Sequence, residues 1–149
     1  MRIYIDTSVV GGVFDKEFAE ASKNLFRKVD AGSLTLVVSN LLRAELEFAP
    51  AHVRNYLDQY SVPVIEVVSL TPEAVILADH YIFEKVVGET SLADCQHIAI
   101  ATLAKVDVLV SWNFKHIVNL TRIRGYNSVN MKLGYNLLEI RSPIEIAEP

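Results

Sequence analysis

The chain is poor in cysteine, in net positive charge and in long apolar runs. Cys95 is the one cysteine among 149 residues, so no internal disulfide forms and a reducing, cytoplasmic setting is expected. A net charge of −4 gives the molecule no long-range pull on nucleic acid, and a polyanion would have to be held by a local basic patch or by metal ions. No uninterrupted apolar stretch approaches the roughly 20 residues that cross a bilayer. Asp6 breaks the segment where the apolar core of a signal peptide would lie, so neither such a peptide nor a membrane partner is expected. Internal repeats and low-complexity tracts are lacking as well. What is present is an apolar half: 51% of the residues are hydrophobic, enough for the core of a single domain over residues 1–149.

Apolar runs of strand length alternate with helical stretches. Residues 3–5 read as a buried strand that stops at Asp6, after which Thr7-Ser8 can cap a helix and Gly11-Gly12 allow a bend. A helix is expected over residues 17–31, ended by Gly32. Residues 34–38 are β-branched and nearly all apolar, as in a strand covered on both faces. Ser39-Asn40 then cap a helix over 41–49, and a short helix precedes Tyr60. A strand over 62–68 has Pro63 near its start, which argues for a sheet edge. Thr71 and Pro72 open a helix running to about residue 87, where Gly88 stops it. The helix over 92–104, introduced by Ser91, is apolar all round its axis and is expected between layers. A strand over 106–111 leads into Trp112-Asn113, a helical segment over 117–132 is broken by Gly125 and ended at Gly134, and a last short strand covers 137–141. Strands separated by helices predict an α/β fold in three layers, with a central, mostly parallel sheet of about five strands flanked by helices.

Glu45 is out of place in this pattern. On the helix over 41–49, Leu41, Leu42, Leu46, Phe48 and Ala49 share one arc at about 100° per residue, and Glu45 falls inside it. A carboxylate there has to be neutralised, paired or bound to a metal. Asp94, in the first turn of the helix over 92–104, is a second carboxylate in apolar company, beside Ile98 and Ala101. Asp6 and Asn113 directly follow buried strands, where open α/β sheets bind their ligands. Three carboxylates converging on one cleft repel one another unless a cation joins them, and hard oxygen donors suit Mg²⁺ or Mn²⁺. The chemistry that follows is metal-assisted hydrolysis of a phosphodiester.

Taken in order, Ile5-Asp6-Thr7-Ser8 at a strand end, Glu45 on a helix, Ala93-Asp94 on another helix and Val110-Ser111-Trp112-Asn113 at a strand-to-turn junction resemble the motifs of PIN-domain ribonucleases. Size and single-domain build look most like the VapC toxins of type II toxin–antitoxin systems. The resemblance covers essentially the whole chain. It implies a PIN-like fold and metal-dependent endonucleolytic cleavage of RNA in the cytoplasm. It makes Asp6, Glu45 and Asp94 metal ligands, adds Asn113 to the catalytic set, and gives Thr7 and Ser8 the place of supporting hydroxyls. Asn113 departs from the aspartate of many members: its amide offers an oxygen but no charge, so one well-occupied ion and a weaker second one are expected. The resemblance also implies a cognate antitoxin that inserts near the acidic cleft, and a homodimer.

An RNA backbone would need cations, and the stretch from Lys115 to Arg141 supplies Lys115, Arg122, Arg124, Lys132 and Arg141 against the single acid Glu139. Tyr126, Asn127 and Asn130 lie between them, a tyrosine being able to stack on an unpaired base. His116 would join at acidic pH.

Plainer readings compete. Asp6 caps a helix, Asp94 completes a capping box with Ser91, Glu45 pairs with Arg43 or Arg2 of a neighbour, and Asn113 is a turn residue. His97 reads as a satisfied core histidine, Cys95 as packing, and the basic stretch as a solvated face. At the level of function, the alternative is a catalytically silent RNA-binding or scaffold domain with a degenerate acidic site. A phosphate-receiver-like domain fits less well, for want of a strand-terminal lysine and of an acid pair after the first strand.

Overall fold

In the computed structural model, the short run after Met1 becomes β1 (Arg2–Ile5), the middle strand of a sheet of five. The structure describes residues 1–147; the last two positions of the expected domain lie outside them. After β1 come α1 (Thr7–Gly12), α2 (Ala19–Asp30), β2 (Thr35–Ser39), α3 (Asn40–Leu46), α4 (Ala51–Arg54) and a 3₁₀ turn (Tyr56–Gln59). The chain continues through β3 (Ile65–Val68), α5 (Pro72–Phe83), a 3₁₀ turn (Glu89–Ser91), α6 (Leu92–Ala104), β4 (Val108–Val110), α7 (Leu120–Lys132), β5 (Ile140–Arg141) and α8 (Pro143–Ala147).

The strand order is β3-β2-β1-β4-β5, and every pairing is parallel. The chain winds outward from β1 to β3, then places β4 on the other side of β1 and β5 beyond it. The order therefore reverses between β1 and β4, and in an open sheet of this kind the crevice lies at the carboxyl edge of that switch point. β3 is an edge strand, as Pro63 suggests, but pairing begins only at Ile65.

Period-two alternation divides the sheet between two cores. Ile3, Ile5, Leu36, Val38, Val108 and Val110 pack with Val9, Val10, Leu25, Phe26 and Leu42 on one face. Tyr4, Val37 and Leu109 turn to the other, against Leu77, Ile98, Ile100 and Tyr126. Burying one such Val, Leu or Ile side chain stabilises by about 1.5–3 kcal/mol. A one-residue slip would exchange the two sets, so the register that carries Asp6 to the edge is strongly held.

Two caps form as the sequence suggests. The Ser39 hydroxyl accepts the Leu42 N–H at 3.1 Å, and Thr71 Oγ1 accepts the Ala74 N–H at 3.1 Å. The α6 boundaries coincide with those expected, and the helix is buried along most of its length.

Other expectations fail for local reasons. α7 is not broken at Gly125: a β-carbon there would lie 2.6 Å from Val86 Cγ1, so the glycine serves close approach within a continuous helix. α7 also starts at Leu120, where Asn119 Oδ1 accepts the Arg122 N–H at 2.9 Å. α5 stops at Phe83, ahead of Gly88, as the chain turns through Lys85 at φ 61°. α3 ends at Leu46, and Phe48, expected on its buried arc, is 93% exposed. α8 is an addition to the expected elements; it packs on α2.

Candidate active site

Asp6 sits one residue beyond β1, and its N–H donates to the Val110 carbonyl of β4 at 3.4 Å. It occupies the N-cap position of α1, which moves Thr7 and Ser8 from their expected capping place into the helix. Its side chain makes no cap bond. The carboxylate instead accepts the Ser8 hydroxyl at 2.5 Å on Oδ1 and the Ser111 hydroxyl at 2.7 Å on Oδ2. Those hydroxyls accept in turn the N–H groups of Trp112 and Asn113, each at 2.9 Å. Two main-chain donors beyond β4 are thus relayed into one carboxylate, a polarised arrangement that strengthens each bond. Asp6 is only 5% exposed. Burial raises its pKa; His97 and the two hydroxyls oppose that, and Glu45 adds to it.

Glu45 projects from α3, half-buried as its place in the apolar arc requires. Within the chain the pairing with Arg2 or Arg43 does not form: Arg2 binds Glu66 at 2.5 Å. Glu45 Oε1 instead accepts the Thr7 hydroxyl at 2.7 Å and meets His97 Nε2 at 2.6 Å. Burial pushes this carboxyl upward, but the bonds from His97 and Thr7 outweigh it and hold the group below its usual range.

Asp94 lies in the first turn of α6 without the capping box, since the Ser91 side chain makes no cap bond. Asp94 Oδ2 accepts from Asn113 Nδ2 at 3.3 Å. Burial and then the charge of Asp6 raise its pKa, against His116, His97 and Asn113. Asn113 Oδ1 accepts the His116 N–H at 2.9 Å. The amide therefore turns its donor end toward the acids, whereas the sequence leads one to expect its oxygen there.

A family profile described as PIN domain matches residues 3–114, a span that holds all four of these positions. The chain belongs to the PIN domain family. In fold, this PIN domain is similar to VapBC2 from Rickettsia felis, solved bound to a DNA fragment from their promoter (TM-score 0.58, 14% identity, 95% of this chain and 98% of that one). It is similar also to VapC20 from Mycobacterium tuberculosis, described as a Sarcin-Ricin loop cleaving toxin (TM-score 0.59, 15% identity, 76% and 91%). FitAcB from Neisseria gonorrhoeae is a third such structure (TM-score 0.57, 11% identity, 95% and 97%). No curated protein matches the sequence.

Among the described residues of the PIN domain, no three His, Cys, Asp or Glu side chains stand together as a ready cation cage. The donor chemistry nevertheless fits a hard divalent ion. Mg²⁺ usually keeps several waters and takes one or two carboxylates from the protein. Asp6 is a buried carboxylate with no ion pair among the described residues, and the charges of Glu45 and Asp94 bear on it or it on them. Such a site is short of positive charge. Beside it runs an open cleft of ≈ 420 Å³ lined by Ser8, Gly11, Gly12, Asp15, Phe18, Trp112 and Asn113.

The basic stretch is less concentrated than its sequence suggests. Lys115 is exposed, two residues beyond Asn113. The Arg122 guanidinium binds the Val86 carbonyl, and Lys132 pairs with Glu84 at 3.1 Å. Arg124 lines a shallow groove on α7 with Asn127, Met131 and Lys132. None of these three contacts Asp6, Glu45 or Asp94 among the described residues. Arg141 is engaged by Glu139 and Glu145. Tyr126 cannot stack on a base: it is fully buried, its hydroxyl donating to the His116 carbonyl at 2.7 Å. Asn130 is buried against Tyr81, and Asn127 holds Leu138 at 2.7 Å.

Ser111, Tyr4 and His97 join the site without having been expected there. Ser111 stands inside the strand-to-turn motif Val110-Ser111-Trp112-Asn113. His97 lies one turn beyond Asp94 on the same helix, the only hint the sequence offers.

Proposed function

We propose that this PIN domain is a metal-dependent endoribonuclease and the toxin of a type II toxin–antitoxin pair. One observation carries the reading: a buried Asp6 carboxylate, without an ion pair among the described residues, at the switch point of the sheet, with Asp94 and Glu45 in its field. Asp6 and Asp94, with Glu45, would hold Mg²⁺ or Mn²⁺. When bound, such an ion lowers the pKa of a water and stabilises charge on the phosphate.

The chain's own residues do the rest. Ser8 and Ser111 orient the Asp6 carboxylate, and Thr7 steadies Glu45. The Asn113 amide holds Asp94 and ties the turn after β4 to the first turn of α6. Lys115, exposed at the rim, neutralises a neighbouring phosphate; Arg122, Arg124 and Lys132 on α7 remain candidates for a longer RNA. RNA as substrate draws support from the description of VapC20 as a Sarcin-Ricin loop cleaving toxin. An antitoxin partner draws it from VapBC2, solved with promoter DNA. A homodimer and a cytoplasmic setting complete the proposal; among the described residues no helix is long and apolar enough to cross a membrane.

Asn113 favours a second reading. On that reading, with its oxygen committed to His116 N–H and no charge at this position, the domain would bind RNA without cutting it. Purified protein incubated with labelled RNA separates the two. Cleavage in Mg²⁺ or Mn²⁺ that stops in EDTA is expected. Cleavage undiminished by EDTA would refute the metal role, and retention of RNA without cleavage under every metal condition would establish the silent domain.

A further inference from the structure

We propose that His97 is the positioning residue of the acidic site, the last link in a buried series of donors that fixes which oxygen Glu45 presents to a metal ion. The inference rests on the ribonuclease reading and names a residue that sets the geometry of its site.

The series starts and ends on α3. Leu42 N–H donates to Ser39 Oγ at 3.1 Å. Ser39 Oγ lies 2.7 Å from the Tyr4 hydroxyl, which lies 2.6 Å from His97 Nδ1. His97 Nε2 reaches Glu45 Oε1 at 2.6 Å. Tyr4 and Ser39 are wholly buried and His97 is 2% exposed, so no bulk water completes the bonding.

Burial fixes the direction of the series. Ser39 Oγ accepts from Leu42 and meets no other side chain than Tyr4 among the described residues, so the arrangement that leaves no hydrogen unbonded is the one in which Ser39 donates to Tyr4. A hydroxyl has one hydrogen; Tyr4, accepting from Ser39, gives its hydrogen to His97 Nδ1. With Nδ1 accepting from Tyr4, the ring's hydrogen sits on Nε2 and is donated to Glu45. The reverse direction would leave the Ser39 hydrogen without an acceptor in the core, at a cost of about 1–3 kcal/mol.

The consequence falls on Glu45. Both of its protein bonds, from Thr7 and from His97, land on Oε1. Oε2 carries no hydrogen bond among the described residues, while the side chain keeps 32% of its surface open. Tyr4 belongs to β1 and His97 to α6, so the series ties Glu45 to the strand that leads into Asp6 and to the helix that bears Asp94. A core histidine satisfied for packing alone would have no need to end on a carboxylate at the cleft.

Manganese titration by calorimetry tests this on wild type, His97→Ala, His97→Gln, Glu45→Gln and the double variant, with RNA cleavage measured alongside. Outer partners of metal ligands typically alter affinity by about 10–100-fold, and His97→Ala should weaken Mn²⁺ by that order. It should lower kcat while leaving KM for RNA within about threefold, since it removes no RNA contact. His97→Gln, whose amide can still donate to Oε1, should recover most of the loss. Added to Glu45→Gln, His97→Ala should cost nothing further, because it acts through that residue. A folded His97→Ala with wild-type Mn²⁺ affinity, or losses that add to those of Glu45→Gln, would overturn the proposal.

Should His97→Ala not fold, Tyr4→Phe removes only the hydroxyl and should still weaken Mn²⁺ severalfold; unchanged affinity there counts against the series. Nitrogen NMR of the labelled imidazole reads the direction of the series without relying on catalysis. The neutral ring should be the Nε2–H tautomer in wild type and mixed in Tyr4→Phe. An Nδ1–H tautomer in wild type would sink the series even in an active nuclease, whereas a wild type that neither binds Mn²⁺ nor cleaves RNA would sink the functional reading and leave the tautomer to decide the series.

Discussion

Asp6→Asn is expected to abolish RNA cleavage, by at least about 10³-fold or roughly 4 kcal/mol of transition-state stabilisation, and yet to make the metal-free protein more stable. The two effects share a cause. Asp6 is buried and has only hydroxyls for partners. The amide relieves its mutual repulsion with Glu45 and Asp94 but removes the charge that would hold a cation. The gain in stability is on the order of 1–2 kcal/mol, reduced by whichever of Ser8 or Ser111 must turn to accept the new NH₂ group.

The sign of the pH dependence follows. The folded-state pKa of Asp6 lies above its ordinary value of 3.8. Between the two values the folded protein keeps a proton that the unfolded chain has released, so stability falls as pH rises through that window. Asp94 acts in the same sense. Glu45, held below 4.5, acts in the opposite one: its contribution is present above that value and is lost as pH falls through its folded-state pKa. Thermal melts of metal-free wild type and Asp6→Asn across mildly acidic to neutral pH should show the variant higher, with a flatter profile. A variant that melts lower throughout would show that Asp6 is a structural anchor. One that still cleaves at the wild-type rate would remove it from the mechanism.

The second large effect contrasts two neighbouring glycines at the end of α1. A β-carbon at Gly12 would lie 2.6 Å from Ser22 Oγ and 2.6 Å from Trp112 Nε1, whose own hydrogen bond spans 2.8 Å. Neither group has room to retreat, both being buried. Gly12→Ala should therefore cost about 2–3 kcal/mol, or a fall of roughly 5–10 °C in Tm for a domain of this size. Gly11 meets nothing within 4 Å in the same helix. Gly11→Ala should stabilise by about 0.5–1 kcal/mol through helix propensity alone. Equal and small shifts for the two would contradict the packing described around Trp112.

Strand positions were legible from the sequence because alternation and apolar runs are local signals, and the caps at Ser39 and Thr71 because each needs one hydroxyl at one spacing. Glu45 was legible as an anomaly for the same reason, since a periodic helix exposes a misplaced charge. What it binds was not: His97 stands 52 residues away, and Tyr4, which bonds His97, and Ser39, which bonds Tyr4, come from two different strands. Bonds that cross the fold leave no periodic trace. Gly125 misled because a glycine that admits Val86 and a glycine that breaks a helix are the same letter. Tyr126 and Asn130 misled because polar residues on a basic helix suggest a surface, whereas here they serve the packing of α7 on its neighbours.

Trp112 gives the cleft an intrinsic fluorophore. It is the chain's single tryptophan, its ring stacked on Phe18 at 4.2 Å and its backbone N–H bonded to Ser8, the hydroxyl that holds Asp6. Emission from the unlabelled protein is therefore expected to report any ligand that disturbs the Asp6–Ser8–Trp112 bonds.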